Sequence, residues 1–117
     1  MKCTFGKTMA AQRLEVLLEN NPIARRKVST LLSRYTNQLL SVMTCKNPKT
    51  VMMSLALIKD NALKQLKVKE NISEDIRSHT SNIIVYRYRV FMGEYKNMIP
   101  LILENQKKKE RLDFQQN

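Results

Sequence analysis

The sequence predicts an all-α fold, a compact bundle of four or five helices joined by short loops. Three observations carry that expectation. Glycine and proline are scarce, 2 and 3 among 117 residues, whereas an all-β chain needs turn residues between its strands. Asn21-Pro22 and Asn47-Pro48 each place an N-cap residue before a proline suited to the first helical position. Between these boundaries, apolar residues recur at intervals of three and four. The apolar fraction, 43%, is ordinary for a globular chain, and 117 residues suffice for one core.

The elements follow in order. Segment one, about Thr8–Glu19, carries Ala10/Ala11, Leu14 and Leu17/Leu18 at helical spacing. Segment two, about Pro22–Cys45, is the clearest helix. Ala24, Val28, Leu31/Leu32, Tyr35, Leu39 and Val42/Met43 form one continuous apolar stripe. Segment three, about Pro48–Lys67, repeats the pattern with Val51/Met52, Leu55, Ile58, Ala62 and Leu66. Segment four opens at Asn71-Ile72-Ser73-Glu74, read as an Asn71 N-cap with Glu74 three residues on. Ile72, Ile76, Ile83 and Val90 line one stripe of it, and Ile84, Tyr88, Phe91, Tyr95 and Met98 another. The β-branched and aromatic run 83–91 also admits a strand, but a lone strand has no partner, so helix is preferred. Segment five starts near Pro100 and fades into Gln106-Lys107-Lys108-Lys109-Glu110-Arg111. The expected organisation is one helical domain over 1–105 and a basic, frayed tail over 106–117.

Charge sets the functional expectation. The formal net charge is +11, more than solubility requires of a small domain. Between Glu19 and Asp60 there is no acidic residue, while Arg25, Arg26, Lys27, Arg34, Lys46, Lys49 and Lys59 all lie inside that window. Such a one-signed stretch favours an anionic partner. Arg25, Arg26 and Lys27 sit at the start of segment two, where a helix already carries partial positive charge. Bases there suit a bound phosphate or carboxylate. Along the same helix, Arg26, Thr30, Ser33 and Asn37 share the face opposite the apolar stripe, with Lys27, Arg34 and Ser41 beside them. Arg25 to Arg34 spans about 13 Å of helix axis, enough for two phosphates. The competing reading of this face is a solvated surface that happens to lack acids.

Arg87 and Arg89 lie among Tyr86, Tyr88 and Tyr95 but point about 200° apart on a helix, so they do not form one patch. If exposed, Arg89 shares a face with Asn82 and Lys96. Lys107-Lys108-Lys109 with Arg111 reads first as a solvated tail, and second as a nuclear address or nucleic-acid contact.

Catalysis finds little support. His79 is the single histidine and falls on the Ile72, Ile76, Ile83 stripe, at a core edge; no paired carboxylate accompanies it. Cys3 and Cys45 with one histidine cannot build a structural zinc site. Cys45, next to Lys46, reads as a buried, inert thiol. Phe5-Gly6-Lys7-Thr8 ends like a phosphate-binding loop but lacks the glycine five residues earlier. The junction Thr44–Pro48 lacks the glycine expected of a helix-turn-helix. No apolar run reaches membrane-spanning length, and the first residues show no signal-peptide core, so an intracellular chain is expected.

The leading expectation is a non-enzymatic nucleic-acid-binding protein without cofactor. It would meet DNA or double-stranded RNA through Arg25, Arg26, Lys27, Thr30, Arg34, Lys46 and Lys49, with Arg89 as a further contact, and with little sequence readout. The alternative is a helical interaction module: an adaptor, chaperone or inhibitor. It would grip an acidic protein, or a second copy of itself as a homodimer, through Met- and Leu-rich surface. Met43, Met52, Met53, Met92 and Met98, with Leu40, Leu57 and Leu63, supply that surface. Membrane association ranks last, since no helix sets a basic face against exposed aromatics.

Overall fold

Each helix of this chain begins where a side chain catches its first free amides. The computed structural model describes residues 5–45 and 47–116, with side chains to 113. Lys46 and Cys3 therefore lie outside the described residues. Helix α1 is Met9–Leu18, α2 Pro22–Val42, α3 Pro48–Val68 and α4 Glu74–Gln116, with no strand among the described residues. Thr8 Oγ1 accepts from the Ala11 N–H at 3.1 Å, and Asn21 Oδ1 accepts from the Ala24 N–H at 3.1 Å. Asn47 Oδ1 accepts from the Lys49 and Thr50 amides at 3.0 and 3.3 Å. Each cap occupies an amide that the helix itself leaves without a partner.

The cap of α4 differs from the sequence reading. Ser73, not Asn71, starts the helix: its Oγ accepts from the Ile76 N–H at 3.3 Å. Asn71 instead takes a left-handed conformation, φ 62°, which asparagine tolerates better than most residues. Glu74 and Asp75 occupy the first turn, where their charge suits the helix dipole.

Residues 83–91 are helical, and their buried members bind α4 to the bundle. Ile83, Ile84 and Tyr95 join Leu14, Leu18, Val28, Tyr35, Leu39, Leu55 and Leu66 in one core. Val90 and Met98, expected on the buried stripes, are exposed at 37% and 42%, so that arc is narrower than its apolar content suggests. Cross-helix contacts fix the directions. Lys27 near the start of α2 meets the Glu70 carbonyl just past the end of α3, so those two helices are antiparallel. Tyr35 donates to the Ile84 carbonyl at 2.8 Å further along, so α4 runs beside α2 in the same direction. Helix α1 packs chiefly on α4 and runs opposite to α2.

A fifth helix starting at Pro100 does not form; α4 continues through that proline. Proline removes one helical hydrogen bond and crowds the preceding turn. Here Pro100 is exposed, while Tyr95, Ile99 and Ile102 pack against the core on either side and hold the axis. The stretch over 106–116 is continuous with α4, and its described side chains are exposed. A helix of 43 residues measures about 64 Å, which matches the 65 Å long axis of the molecule. The radius of gyration, 18.3 Å, exceeds the ~13 Å of a compact chain of similar length for the same reason.

Candidate functional site

The base-rich start of α2 divides into committed and free side chains. Arg25 is committed. Its Nη2 meets Glu15 Oε1 of α1 at 2.5 Å, and its guanidinium lies 5.4 Å from the Phe5 ring centroid. Lys27 is committed too: its Nζ donates to the Glu70 carbonyl at 2.9 Å, just beyond the end of α3. A cation at a helix N-terminus is unfavourable on its own, but a partner from another element removes the difficulty. Both residues therefore have folding roles that a one-dimensional charge window cannot reveal.

Arg26 and Arg34 are different. Both are exposed, and neither forms an ion pair or side-chain hydrogen bond among the described residues. Thr30, Ser33 and Asn37 are exposed between and beside them on the same helix. Arg26 and Arg34 stand about 12 Å apart along the axis. Together these five side chains make an outward face rich in hydrogen-bond donors and free of acids.

The remaining expected contacts lie elsewhere. Lys49 is exposed in the first turn of α3, about 24 Å along the bundle from Arg26, beside the opposite end of α2. Arg89 is exposed on α4 but points about 200° around that helix from Arg87, whose side chain reaches α2. Arg89 is thus not on the α2 face. Lys59 lies over the Tyr88 ring, 4.5 Å from its centroid, and 3.5 Å from Asp60 Oδ1.

Arg87 is the residue that sequence reasoning undervalued. Its Nη1 donates to Thr36 Oγ1 at 2.9 Å and its Nη2 to the Phe5 carbonyl at 3.0 Å. These bonds tie the chain before α1, the second half of α2 and the first third of α4 to one guanidinium. Gly6 makes the approach feasible: its φ of 116° turns the chain so that Phe5 enters the core. No carboxylate faces Arg87 among the described residues. Burial pushes its pKa below the ordinary arginine value, with the Tyr35 hydroxyl pulling the other way. Arg87, Phe5, Ser29, Leu32, Ser33, Thr36 and Asn37 line a cleft of about 330 Å³.

His79 is half-buried at the core edge, as its stripe suggests. Cys45 is exposed rather than buried, because α2 ends at Val42 and leaves it in the loop. No group of three or more His, Cys, Asp or Glu side chains able to hold a metal occurs among the described residues. No helix among them is long and apolar enough to cross a membrane. No family model, curated protein or solved structure matches this chain.

Proposed function

We propose that this protein binds nucleic acid without catalysis, through the exposed face of α2. The observation carrying the reading is that Arg26 and Arg34 flank Thr30 and Ser33 on a helix that contains no acidic residue, with no ion pair among the described residues. Each arginine offers a fork of donors suited to a phosphate, and the hydroxyls between them add neutral donors. Two arginines about 12 Å apart meet separate phosphates of one strand or of a groove edge. Affinity from such contacts falls steeply with salt and reads little sequence. Arg25 and Lys27 support the face from beneath by holding the start of α2 in place. Arg26→Glu with Arg34→Glu is the direct test in a fluorescence-anisotropy titration with labelled duplexes. Binding is lost while the helical circular-dichroism spectrum stays.

A second reading rests on a separate observation. Met98, Leu101, Leu103 and Leu112 are exposed on the outer half of α4, and Leu40, Met53 and Leu57 on α2 and α3. Apolar surface of this kind suits a protein partner or a second copy of the chain. Sedimentation velocity at rising concentration discriminates: an apolar dimer persists in high salt, whereas a phosphate complex dissociates.

A further inference from the structure

We propose that the cleft between the Phe5 turn, α2 and α4 binds a phosphate monoester carried on a nucleotide-sized body, with Arg87 as its charged anchor. The cleft borders the outward face of α2 and shares Ser33 and Asn37 with it, but it is centred on Arg87 and needs neither Arg26 nor Arg34.

The first argument is charge. Arg87 is half-buried and has no carboxylate partner among the described residues. A guanidinium taken partly out of water without a counter-ion is costly, and a charged ligand removes that cost. Its two bonds, to Thr36 Oγ1 and the Phe5 carbonyl, fix the plane of the group. A guanidinium has five N–H donors, so others remain for a ligand.

The second argument is the lining. Ser29, Ser33 and Asn37 border the same cleft, and none of their side chains has a hydrogen-bond partner among the described residues. Two hydroxyls, an amide and a guanidinium offer more donors than one carboxylate accepts. A phosphate monoester, with three terminal oxygens, matches them better. No acidic side chain among the described residues lines the cleft.

The third argument is size. About 330 Å³ lies at the lower end of the range of small-molecule sites, roughly 300–1,000 Å³, and exceeds what a bare ion fills. The apolar part of the lining, Phe5 and Leu32, suits an uncharged organic body beside the phosphate. A nucleotide meets both requirements, whether free or as the phosphorylated end of a strand.

The test is isothermal titration calorimetry on the full chain with adenosine 5′-monophosphate, adenosine, inorganic phosphate and acetate as probes. The monophosphate binds at least tenfold more tightly than adenosine or acetate, and more tightly than inorganic phosphate. Arg87→Gln abolishes that preference. Because Arg87 also anchors Phe5, Ser33→Glu serves as the second variant. It puts a carboxylate at an exposed helical position bordering the cleft, weakens the monophosphate at least tenfold and leaves the melting curve in place. Adenosine binding as tightly as its monophosphate, or Ser33→Glu binding the monophosphate like the wild type, overturns the proposal. The source is read by anisotropy with oligonucleotides bearing a 5′-phosphate or a 5′-hydroxyl. A fivefold preference for the phosphate, lost in Ser33→Glu, assigns a strand end; no preference assigns the free nucleotide. Arg26→Glu with Arg34→Glu keeps monophosphate binding, so failure of the cleft and failure of the α2 face give different results.

Discussion

Arg25 of α2 and Glu15 of α1 pair across the corner between their helices, Nη2 to Oε1 at 2.5 Å. Their side chains are 34% and 23% exposed, so the pair is partly shielded from solvent. Arg25→Glu sets two carboxylates against each other and loses the contact with the Phe5 ring. It lowers stability by about 1–2 kcal/mol, more than an ordinary surface pair contributes. Arg26→Glu, one residue on and exposed, stays within about 0.5 kcal/mol of wild type. Urea denaturation of the two single variants checks the contrast.

Arg77 closes the end of α3. Its Nη1 donates to the Leu66 carbonyl and, at 3.0 Å, to that of Lys67; its Nη2 donates to the Lys69 carbonyl at 3.0 Å. Its Nε also meets Glu74 Oε1 at 3.3 Å. The last carbonyls of a helix have no partner of their own, and a cation there also suits the dipole. Arg77→Ala costs about 2–3 kcal/mol, because several acceptors lose one charged donor together. Hydrogen exchange in that variant rises first over the last turn of α3.

Tyr35 gives a pH signature. Burial raises its pKa well above the ordinary 10.0, Arg87 lowers it somewhat, and Tyr88 raises it. The stabilising term is complete below the unfolded value of 10.0. Above that pH the unfolded chain releases the phenolic proton while the folded chain keeps it, so stability falls. The slope from this one group approaches about 1.4 kcal/mol per pH unit. Denaturant midpoints from pH 8 upward should fall less steeply in Tyr35→Phe, which is otherwise weaker by the lost hydrogen bond to Ile84, about 1 kcal/mol.

Pro100 lies inside α4 on an exposed surface. Pro100→Ala restores an amide donor and removes the ring clash. It raises stability by about 1–3 kcal/mol and strengthens the 222-nm signal. A lower melting temperature would show that the proline sets a bend the packing of Ile99 and Ile102 requires.

These relationships explain what the sequence made legible. The starts of α2 and α3 were readable because Asn-Pro acts within three residues, and their stripes because helical periodicity is local. Ser73 as the cap of α4 was obscured by Asn71, a stronger candidate by residue type that the backbone uses for its left-handed turn. Pro100 misled because local propensity favours a break, whereas Tyr95, Ile99 and Ile102 hold the helix through tertiary packing. The site was less legible. Arg25 and Arg26 are alike in sequence, yet only one meets Glu15, which lies just outside the acid-free window. Arg87 contacts Thr36 and Phe5 across 51 and 82 residues, separations that no local pattern encodes.

The most direct test of the central claim is the salt dependence of duplex binding by the wild type and by Arg26→Glu with Arg34→Glu. Fluorescence anisotropy with labelled duplex DNA and duplex RNA, against a polyanion control, at two salt concentrations supplies it. The account predicts that the wild type prefers a duplex to the polyanion and loses affinity steeply with salt. It also predicts that the double variant loses at least tenfold in affinity and about two counter-ions from the slope. Equal binding of the duplexes and the polyanion, or a double variant with unchanged affinity and slope, would contradict the assignment of α2 as the nucleic-acid face.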